Sequence, residues 1–216
     1  MDSEDYQTNF HKNRRMKMDA VKIVNKISEE HGTIKNVYFL ACGGSLVDLY
    51  PGYYFLRAES AVMDAQWIPA REFALTPPKK LGKDSLLIIC SHSGKTKECL
   101  EAAKVGMNAG AAVVTMTHAP GSACDTDEWI SIVYDWAPGV KEAEKPQGIV
   151  LRILNELMKI QEPGYVLYDK IAEGFDKIDE IIAAAMKDQQ NAAWLFAEKY
   201  SEEPNLYIMA SGASYS

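Results

Sequence analysis

Apolar runs and stretches of helical spacing alternate along residues 36–134 of the chain. Uninterrupted runs of aliphatic, β-branched and aromatic residues are typical of strands that are buried on both faces of a parallel sheet. Such runs predict five strands, at residues 36–41, 61–68, 85–90, 111–117 and 129–134. The fifth alternates between apolar and polar residues, which is typical of an edge strand. Strands that alternate with helices over short loops predict an α/β fold, a doubly wound, five-stranded parallel sheet with helices on both faces.

Three segments outside this region have the spacing of amphipathic helices. Residues 1–34 are predicted to form a helical arm, and residues 147–162 a strongly apolar helix. Residues 168–200 hold one or two more helices, with Gly174 and Asn191 as possible breaks. These helices carry more apolar surface than is needed to cover the two faces of one five-stranded sheet. We therefore expect a homodimer or a higher homo-oligomer.

The end of the chain repeats an earlier pattern. Residues 205–214 have the layout of residues 36–45, an apolar run followed by a Gly/Ser loop. A lone strand and loop cannot bury themselves, so we expect the 216 residues to be a truncated form of a longer protein. The predicted organisation is a helical arm at 1–34, a first α/β domain at 35–162, a helical linker at 163–203, and the first strand and loop of a second domain at 204–216.

The third apolar run stops in a cluster of small hydroxyl residues, Ser91-His92-Ser93-Gly94-Lys95-Thr96, before a helical pattern begins. A helix start offers unpaired N–H groups and the positive end of the helix dipole, and Ser91, Ser93 and Thr96 add hydroxyl donors. One hydroxyl serving as an N-cap would need no ligand, but three are more than a cap requires. The spacing is neither that of a Walker A loop nor that of a dinucleotide fingerprint. The pattern favours a phosphate-binding loop.

A second junction of this kind follows the first strand, where Cys42-Gly43-Gly44-Ser45 precedes a helical pattern. Gly43 and Gly44 permit positive φ and close backbone approach, and Ser45 can cap the next helix or contact a ligand. Glu72, after the second strand, could lie near the ligand or cap a short turn. Ligands of doubly wound sheets bind at the carboxyl ends of strands, where both loops lie.

The composition argues against some classes of binding partner. A formal charge of −7 argues against nucleic acid and against an anionic membrane surface. No apolar run has the length of a membrane span, and residues 1–5 lack the features of a signal peptide. The four cysteines have no metal-ligand spacing. We expect a reduced, cytoplasmic protein without structural metal or cofactor.

Groups for proton transfer are hard to find in the sequence. His11, His31 and His118 are predicted to be surface or capping histidines, and residues 125–128 a solvated loop. No Ser/His/Asp order or pair of carboxylates stands out. No catalytic residue is therefore predicted within the chain.

The two junctions together resemble those of the sugar isomerase (SIS) domain family, whose fold is flavodoxin-like. The matching pieces are Ala41-Cys42-Gly43-Gly44-Ser45, Glu72-Phe73, and Ser91-His92-Ser93-Gly94-Lys95-Thr96, which corresponds to the family's Ser-x-Ser-Gly-x-Thr phosphate loop. The resemblance covers residues 36–160 as one domain. Residues 210–214 resemble the first loop of a second one.

Among two-domain members the chain is most similar to the fructosamine deglycases, which resemble the isomerase half of glucosamine-6-phosphate synthase. They split 6-phosphorylated Amadori adducts into a hexose phosphate and an amine. The resemblance implies that the sugar phosphate binds to Ser91, Ser93, Thr96 and the backbone of His92. It implies that the sugar pocket is lined by Gly43, Gly44, Ser45 and Glu72.

Two features depart from the family pattern. Lys145-Pro146-Gln147 lies where the synthases have Ala-Ser-Thr-Lys. The family's catalytic Glu and the histidine of its His-Gly-Pro motif belong to the second domain, so we expect them after Ser216.

Two classes of function follow from the resemblance. The first is an enzyme, a fructosamine 6-phosphate deglycase or alternatively an aldose–ketose phosphosugar isomerase. The second is a non-catalytic phosphosugar sensor, like SIS domains that are fused to DNA-binding modules. No helix-turn-helix pattern or strongly basic segment precedes residue 36, which favours the enzyme.

Overall fold

A parallel sheet of five strands organises the fold. The structure is a computed structural model that describes residues 19–207 and 209–210. The strands are β1 (Asn36–Ala41), β2 (Asp64–Pro69), β3 (Ser85–Cys90), β4 (Ala112–Thr117) and β5 (Ile130–Val133). Their order in the sheet is β2-β1-β3-β4-β5, and every pair is parallel. The predicted fold class is confirmed.

Helices cover both faces of this sheet, as predicted. The helices are α1 (Ala20–His31), α2 (Gly44–Asp48), α3 (Tyr50–Glu59), α4 (Ala70–Leu75), α5 (Lys97–Asn108), α6 (Pro146–Gln161) and α7 (Tyr168–Tyr200), with a 3₁₀ turn at Glu142–Glu144. Side chains of α1, α3 and α6 pack on one face, against Val37 and Phe39 of β1. Those of α4 and α5 pack on the other, against Tyr38 and Leu40. The alternation along β1 therefore divides the core into two layers.

The central strands explain the long apolar runs of the sequence. All six residues of β1, of β3 and of β4 are buried, as in strands that helices cover on both faces. The edge strands β2 and β5 are only partly buried. The prediction that the fifth strand lies at an edge is confirmed.

The register of β1 places the two loops that the sequence singled out next to each other. Ala41, the last residue of β1, lies opposite Cys90, the last residue of β3. On its other side, Ala41 lies opposite Pro69 at the end of β2. The chain moves in opposite directions across the sheet after β1 and after β3. This reversal makes the carboxyl edge between them the expected ligand-binding crevice.

One predicted boundary is corrected by tertiary contacts, and the helix after β1 is divided near its proline as expected. The second strand begins at Asp64, three residues after the predicted start at residue 61. The Glu162 carboxylate accepts hydrogen bonds from Ser60 Oγ and from the Val62 amide, which holds this segment as a loop. After β1, the predicted helix is divided at Leu49, and Pro51 lies in the first turn of α3, where its missing N–H costs nothing.

The long helix α7 is continuous through Gly174 and Asn191, the two possible breaks. None of its 33 residues is buried. Its exposed large apolar side chains are Ile181, Met186, Trp194, Leu195 and Phe196. They are the surplus of apolar surface that motivated the expected homo-oligomer, which stays a prediction.

The terminal predictions lie partly outside the described residues. Of the predicted arm at 1–34, the structure describes α1, which Asp19 caps by accepting a hydrogen bond from the Lys22 amide at 3.2 Å. At the other end, residues 205–207 and 209–210 form no strand. The second domain predicted from 204 onward, and the division at 163–203, stay predictions. Within the described ranges, no helix has both the length and the apolar character needed to cross a membrane.

The packing of α6 depends on a glycine in its first turn. A Cβ atom at Gly148 would lie 2.5 Å from Ala143 Cα and 2.5 Å from the Glu142 carbonyl oxygen. Since both are backbone atoms of the preceding turn, Gly148→Ala must displace the start of α6. We expect the free energy of unfolding to fall by about 1–3 kcal/mol in urea denaturation.

Gly174→Ala is the matched control, because a Cβ at this helical glycine meets nothing within 4 Å. Alanine is the better helix former by about 0.5–1 kcal/mol, so this variant should be as stable as the unaltered chain or more stable. Equal stability of the Gly148 and Gly174 variants would contradict the packing argument.

Candidate functional site

The loop between β3 and α5 forms a tight turn around Gly94. The glycine has a φ of +64°, and its amide donates to the Ser91 carbonyl at 2.9 Å. Ser91 is buried, and its hydroxyl donates to Thr96 Oγ1 at 2.9 Å. Ser93 is exposed. The predicted phosphate-binding residues therefore form one turn at the start of α5.

The start of α5 is not capped by a side chain. Thr96 is its N-cap residue, but the Thr96 hydroxyl makes no capping hydrogen bond to the helix backbone. The alternative in which this hydroxyl serves only as an N-cap is therefore not supported. In the first turn of this 12-residue helix the Cys99 amide donates to the Thr96 carbonyl, whereas the Lys97 and Glu98 amides and the positive end of the helix dipole remain at the loop. Such an arrangement can hold an anion.

The loop after β4 supports this turn through hydrogen bonds to its backbone. The His92 carbonyl accepts hydrogen bonds from the His118 amide at 3.1 Å and from Thr117 Oγ1 at 3.3 Å. The Gly94 carbonyl accepts one from the Cys124 amide at 3.1 Å. The Ser122 hydroxyl is buried beside Gly94 and has no hydrogen-bond partner among the described residues. The loop after β4 thus fixes the backbone of the β3–α5 turn.

His92 stands at the centre of an aromatic cluster that the sequence did not predict. Its Nδ1 lies 3.0 Å from the Tyr134 hydroxyl, and its ring stacks on that of His118 with centroids 4.9 Å apart. Trp136 meets it edge-on at 5.6 Å. His118, predicted to be a surface or capping residue, therefore lies beside the candidate site. The sequence signal that could have located Tyr134 and Trp136 is their position directly after the last strand.

Hydrogen bonds fix the orientation of both imidazole rings. His118 Nδ1 lies 3.1 Å from the Tyr134 carbonyl oxygen, which can only accept, so this nitrogen carries a proton. Burial raises the pKa of the Tyr134 hydroxyl far above its ordinary value, so the phenol stays neutral. The same hydroxyl is 4.0 Å from Cys90 Sγ. Burial likewise raises the pKa of Cys90, to about 12, which makes the thiol an inert part of the core.

The Gly/Ser loop after β1 is open at its surface. Gly43 has a φ of +61°, and a Cβ at either Gly43 or Gly44 would meet nothing within 4 Å. Ser45 is half-buried, and its hydrogen bond with the Cys90 thiol opposes the rise in that pKa. Ser45 therefore reaches towards the end of β3. Whether these three residues line a sugar pocket stays a prediction.

Glu72 is not brought to the phosphate loop by any described contact. It lies exposed in the first turn of α4, after β2. Among residues 19–207 and 209–210, its carboxylate has no hydrogen bond or ion pair, while the adjacent Arg71 pairs with Glu101 at 3.0 Å. Its place in a sugar pocket stays a prediction.

A half-buried carboxylate at the end of α2 is a further member of the site. Asp48 Oδ1 accepts a hydrogen bond from Gln147 Nε2 at 2.7 Å, which joins α2 to the start of α6. Burial raises the pKa of Asp48, and the neighbouring His92 opposes that rise. Perturbed carboxyl groups of this kind are frequent in functional sites. The sequence drew attention to Gln147 only as a departure from a family pattern, and not at all to Asp48.

The described residues offer no metal centre. In this part of the chain, no three His, Cys, Asp or Glu side chains are grouped as metal ligands would be. The four cysteines are free thiols, and three of them are buried. The chemistry available at this edge of the sheet is anion binding by hydroxyls and amides, next to imidazole and carboxylate groups.

Comparison with known proteins finds curated relatives of this chain. No protein-family model matches the chain. Fructosamine deglycase FrlB of Bacillus subtilis is 33% identical over 183 residues, which are 85% of this chain and 56% of that protein. A glutamine–fructose-6-phosphate aminotransferase of Clostridium tetani is 26% identical over 207 residues, 93% of this chain and 33% of that protein.

A solved structure with similar identity and coverage is also found. The crystal structure of a Salmonella typhimurium protein, assigned as a phosphosugar isomerase, superposes with a TM-score of 0.81 at 32% identity. The match covers 89% of this chain and 58% of that one. The chain therefore spans a little over half the length of its more similar relatives.

The turn around Gly94 provides a test of the site's geometry. A Cβ at this position would lie 1.9 Å from Ser122 Oγ, and the positive φ adds backbone strain. We expect Gly94→Ala to lower the free energy of unfolding by about 1–3 kcal/mol in urea denaturation.

Ser122→Gly in the same chain removes the two nearest clashing atoms, Oγ and Cβ of Ser122, and leaves Thr117 Oγ1 at 2.7 Å, so it should recover part of the loss. A double-mutant cycle with both single variants isolates that coupling. Additive effects of the two substitutions would show that Gly94 and Ser122 are not in contact.

Proposed function

This chain belongs to the SIS family of phosphosugar isomerases, and we propose that it binds hexose or fructosamine 6-phosphates at the loop between β3 and α5. The observation that carries the proposal is the uncapped start of α5. This helix start directly follows a turn that contains the Ser91, Ser93 and Thr96 hydroxyls. A phosphate group has several acceptor oxygens and a negative charge, so it can use these donors together.

The reaction we propose is the deglycation of a fructosamine 6-phosphate. The Amadori adduct and water would give a hexose 6-phosphate and a free amine. This is supported by the 33% identity to fructosamine deglycase FrlB, although the chain corresponds to 56% of that protein. An aldose–ketose isomerase is the alternative within the same family, since a structural relative is assigned as a phosphosugar isomerase. Both reactions would use the same phosphate loop and would differ in whether an amine is released.

The phosphate loop contributes binding and orientation to either reaction. Moving a proton at the sugar carbons also needs an acid or base against the reacting atom, and each such group contributes about 10²–10⁴-fold. The loop's own side chains are hydroxyls, His92 and the exposed Lys95. The His92 Nδ1 is already in contact with the Tyr134 hydroxyl, which holds this imidazole in place as part of the loop.

Ser93→Ala tests the phosphate assignment. Ser93 is exposed, and its hydroxyl accepts only a long hydrogen bond from the Lys95 amide, at 3.4 Å. The substitution should therefore leave the fold intact. Losing one hydrogen bond to a charged phosphate costs about 1.5–3 kcal/mol, so we expect glucose 6-phosphate to bind roughly ten to a hundred times more weakly in calorimetry.

Ser201→Ala, an exposed serine at the end of α7, is the matched control and should bind like the unaltered chain. Equal affinity of the Ser93 variant and this control would remove Ser93 from the phosphate site.

The 216-residue chain is expected to bind fructosamine 6-phosphate without releasing its amine at an enzymatic rate. The reason is that its exposed Glu72 has no contact with the phosphate loop, and Asp48 already accepts a hydrogen bond from Gln147. The measurement is free amine over time, with FrlB from Bacillus subtilis as the positive control. Turnover comparable to that of FrlB would show that a group within this chain, Asp48, Glu72 or His92, carries the chemistry.

A further inference from the structure

Asp48 is a half-buried carboxylate without a cation. Its Oδ1 accepts one hydrogen bond, from Gln147, and no lysine or arginine among the described residues forms an ion pair with it. The nearby Lys145, one residue before α6, pairs with Glu142 instead. Holding a carboxylate in a partly desolvated place without a positive partner is unfavourable. A ligand that brings a positive charge would remove that cost.

Gln147 presents a second acceptor without a donor. Its Nε2 is used by Asp48, while its Oε1 is buried and has no hydrogen-bond partner in the described part of the chain. Asp48 also has no described hydrogen bond to Oδ2. The pair therefore combines two unused acceptor oxygens with one negative charge. A buried amide oxygen without a donor is uncommon in folded proteins, since it loses the hydrogen bond it makes in water.

The pair borders the phosphate loop. Asp48 ends α2, the helix that follows the Gly/Ser loop, and it interacts electrostatically with His92, inside the Ser91–Thr96 turn. Gln147 is the second residue of α6. A ligand whose phosphate is held at the start of α5 would thus extend along the carboxyl edge of the sheet towards these two side chains.

We propose that Asp48 and Gln147 form the subsite for the ammonium group of a substrate that carries a secondary amine at the end opposite its phosphate. This inference rests on the proposed function. A secondary ammonium group has two N–H donors and one positive charge, which matches two acceptors and one negative charge. A simple hexose 6-phosphate offers hydroxyl donors but no positive charge. The pair thus selects phosphorylated sugar–amine adducts over plain sugar phosphates.

A purely structural role makes a different prediction. If the bond between Asp48 and Gln147 only fastens α6 to α2, then weakening it changes the stability of the domain and affects both ligands equally. The ammonium subsite instead predicts a loss that is confined to the ligand with the amine. Two ligands with the same phosphate, fructose 6-phosphate and the 6-phosphate of fructosyl-glycine, therefore separate the two roles.

The experiment is titration calorimetry of the 216-residue chain with these two ligands. Asp48→Asn keeps the size of the side chain and an oxygen for Gln147 but removes the charge. We expect this variant to bind the fructosyl-glycine 6-phosphate about ten to a hundred times more weakly, with fructose 6-phosphate changed less than about threefold. Asp84→Asn is the matched control, because Asp84 is also a half-buried carboxylate but precedes β3, at the amino ends of the strands, and pairs there with Lys35. It should change neither affinity.

Gln147→Met is a second variant, which keeps the length of the side chain but removes both the unused acceptor and the Nε2 donor to Asp48. It should weaken binding of the amine-bearing ligand alone, by about tenfold or less. An equal loss for both ligands, or no loss for either, would overturn the ammonium subsite while leaving the phosphate assignment in place. If the unaltered chain bound neither ligand, the proposed function would be wrong and this subsite with it.

Discussion

The parallel pairing of β1 with β3 is the constraint on which the candidate site depends. Both strands are buried along their full length, so their position is fixed by the packing of two core layers. A shift of one residue would exchange the side chains between the layers. Because this register sets Ala41 opposite Cys90, the Gly/Ser loop and the hydroxyl-rich loop leave the sheet side by side. The least exposed part of the fold thus determines the geometry of the candidate site.

The sequence predicted the features that depend on residues close together in the chain. Buried runs located β1, β3 and β4 to within a residue, because a strand covered on both faces must be apolar throughout. The phosphate loop was found in the same way, since strand, hydroxyl-rich turn and helix follow one another along the chain. An uncapped helix start, by contrast, was not visible in the sequence. Thr96 had the composition of a cap, and only the structure shows its hydroxyl bonded to Ser91 instead.

The sequence could not predict what depends on distant residues. Asp48 and Gln147 are 99 residues apart, and His92 and Tyr134 are 42 apart, so no local pattern relates them. The late start of β2 has the same origin, because Glu162 binds the Val62 amide from 100 residues away. Each of these contacts joins the carboxyl edge of the sheet, or an edge strand, to residues that come after β5 in the chain. Residues after β5 therefore contribute to a candidate site whose other residues precede it in the chain.

Charge explains why the two ends of the site differ in chemistry. The chain carries a net charge of −7, so its overall field repels a phosphate dianion. Lys97 and Lys145, near the two helix starts, are each paired with a glutamate. The donors that we propose for the phosphate are the amides and hydroxyls at the start of α5 together with the exposed Lys95 of the loop, and the neutral ones act only at hydrogen-bond distance. A negative side chain such as Asp48 can then lie within the same crevice without neutralising them, since hydroxyl and amide donors carry no net charge. The proposed site would hold an anion at one end and a cation at the other, which would orient any ligand that carries both.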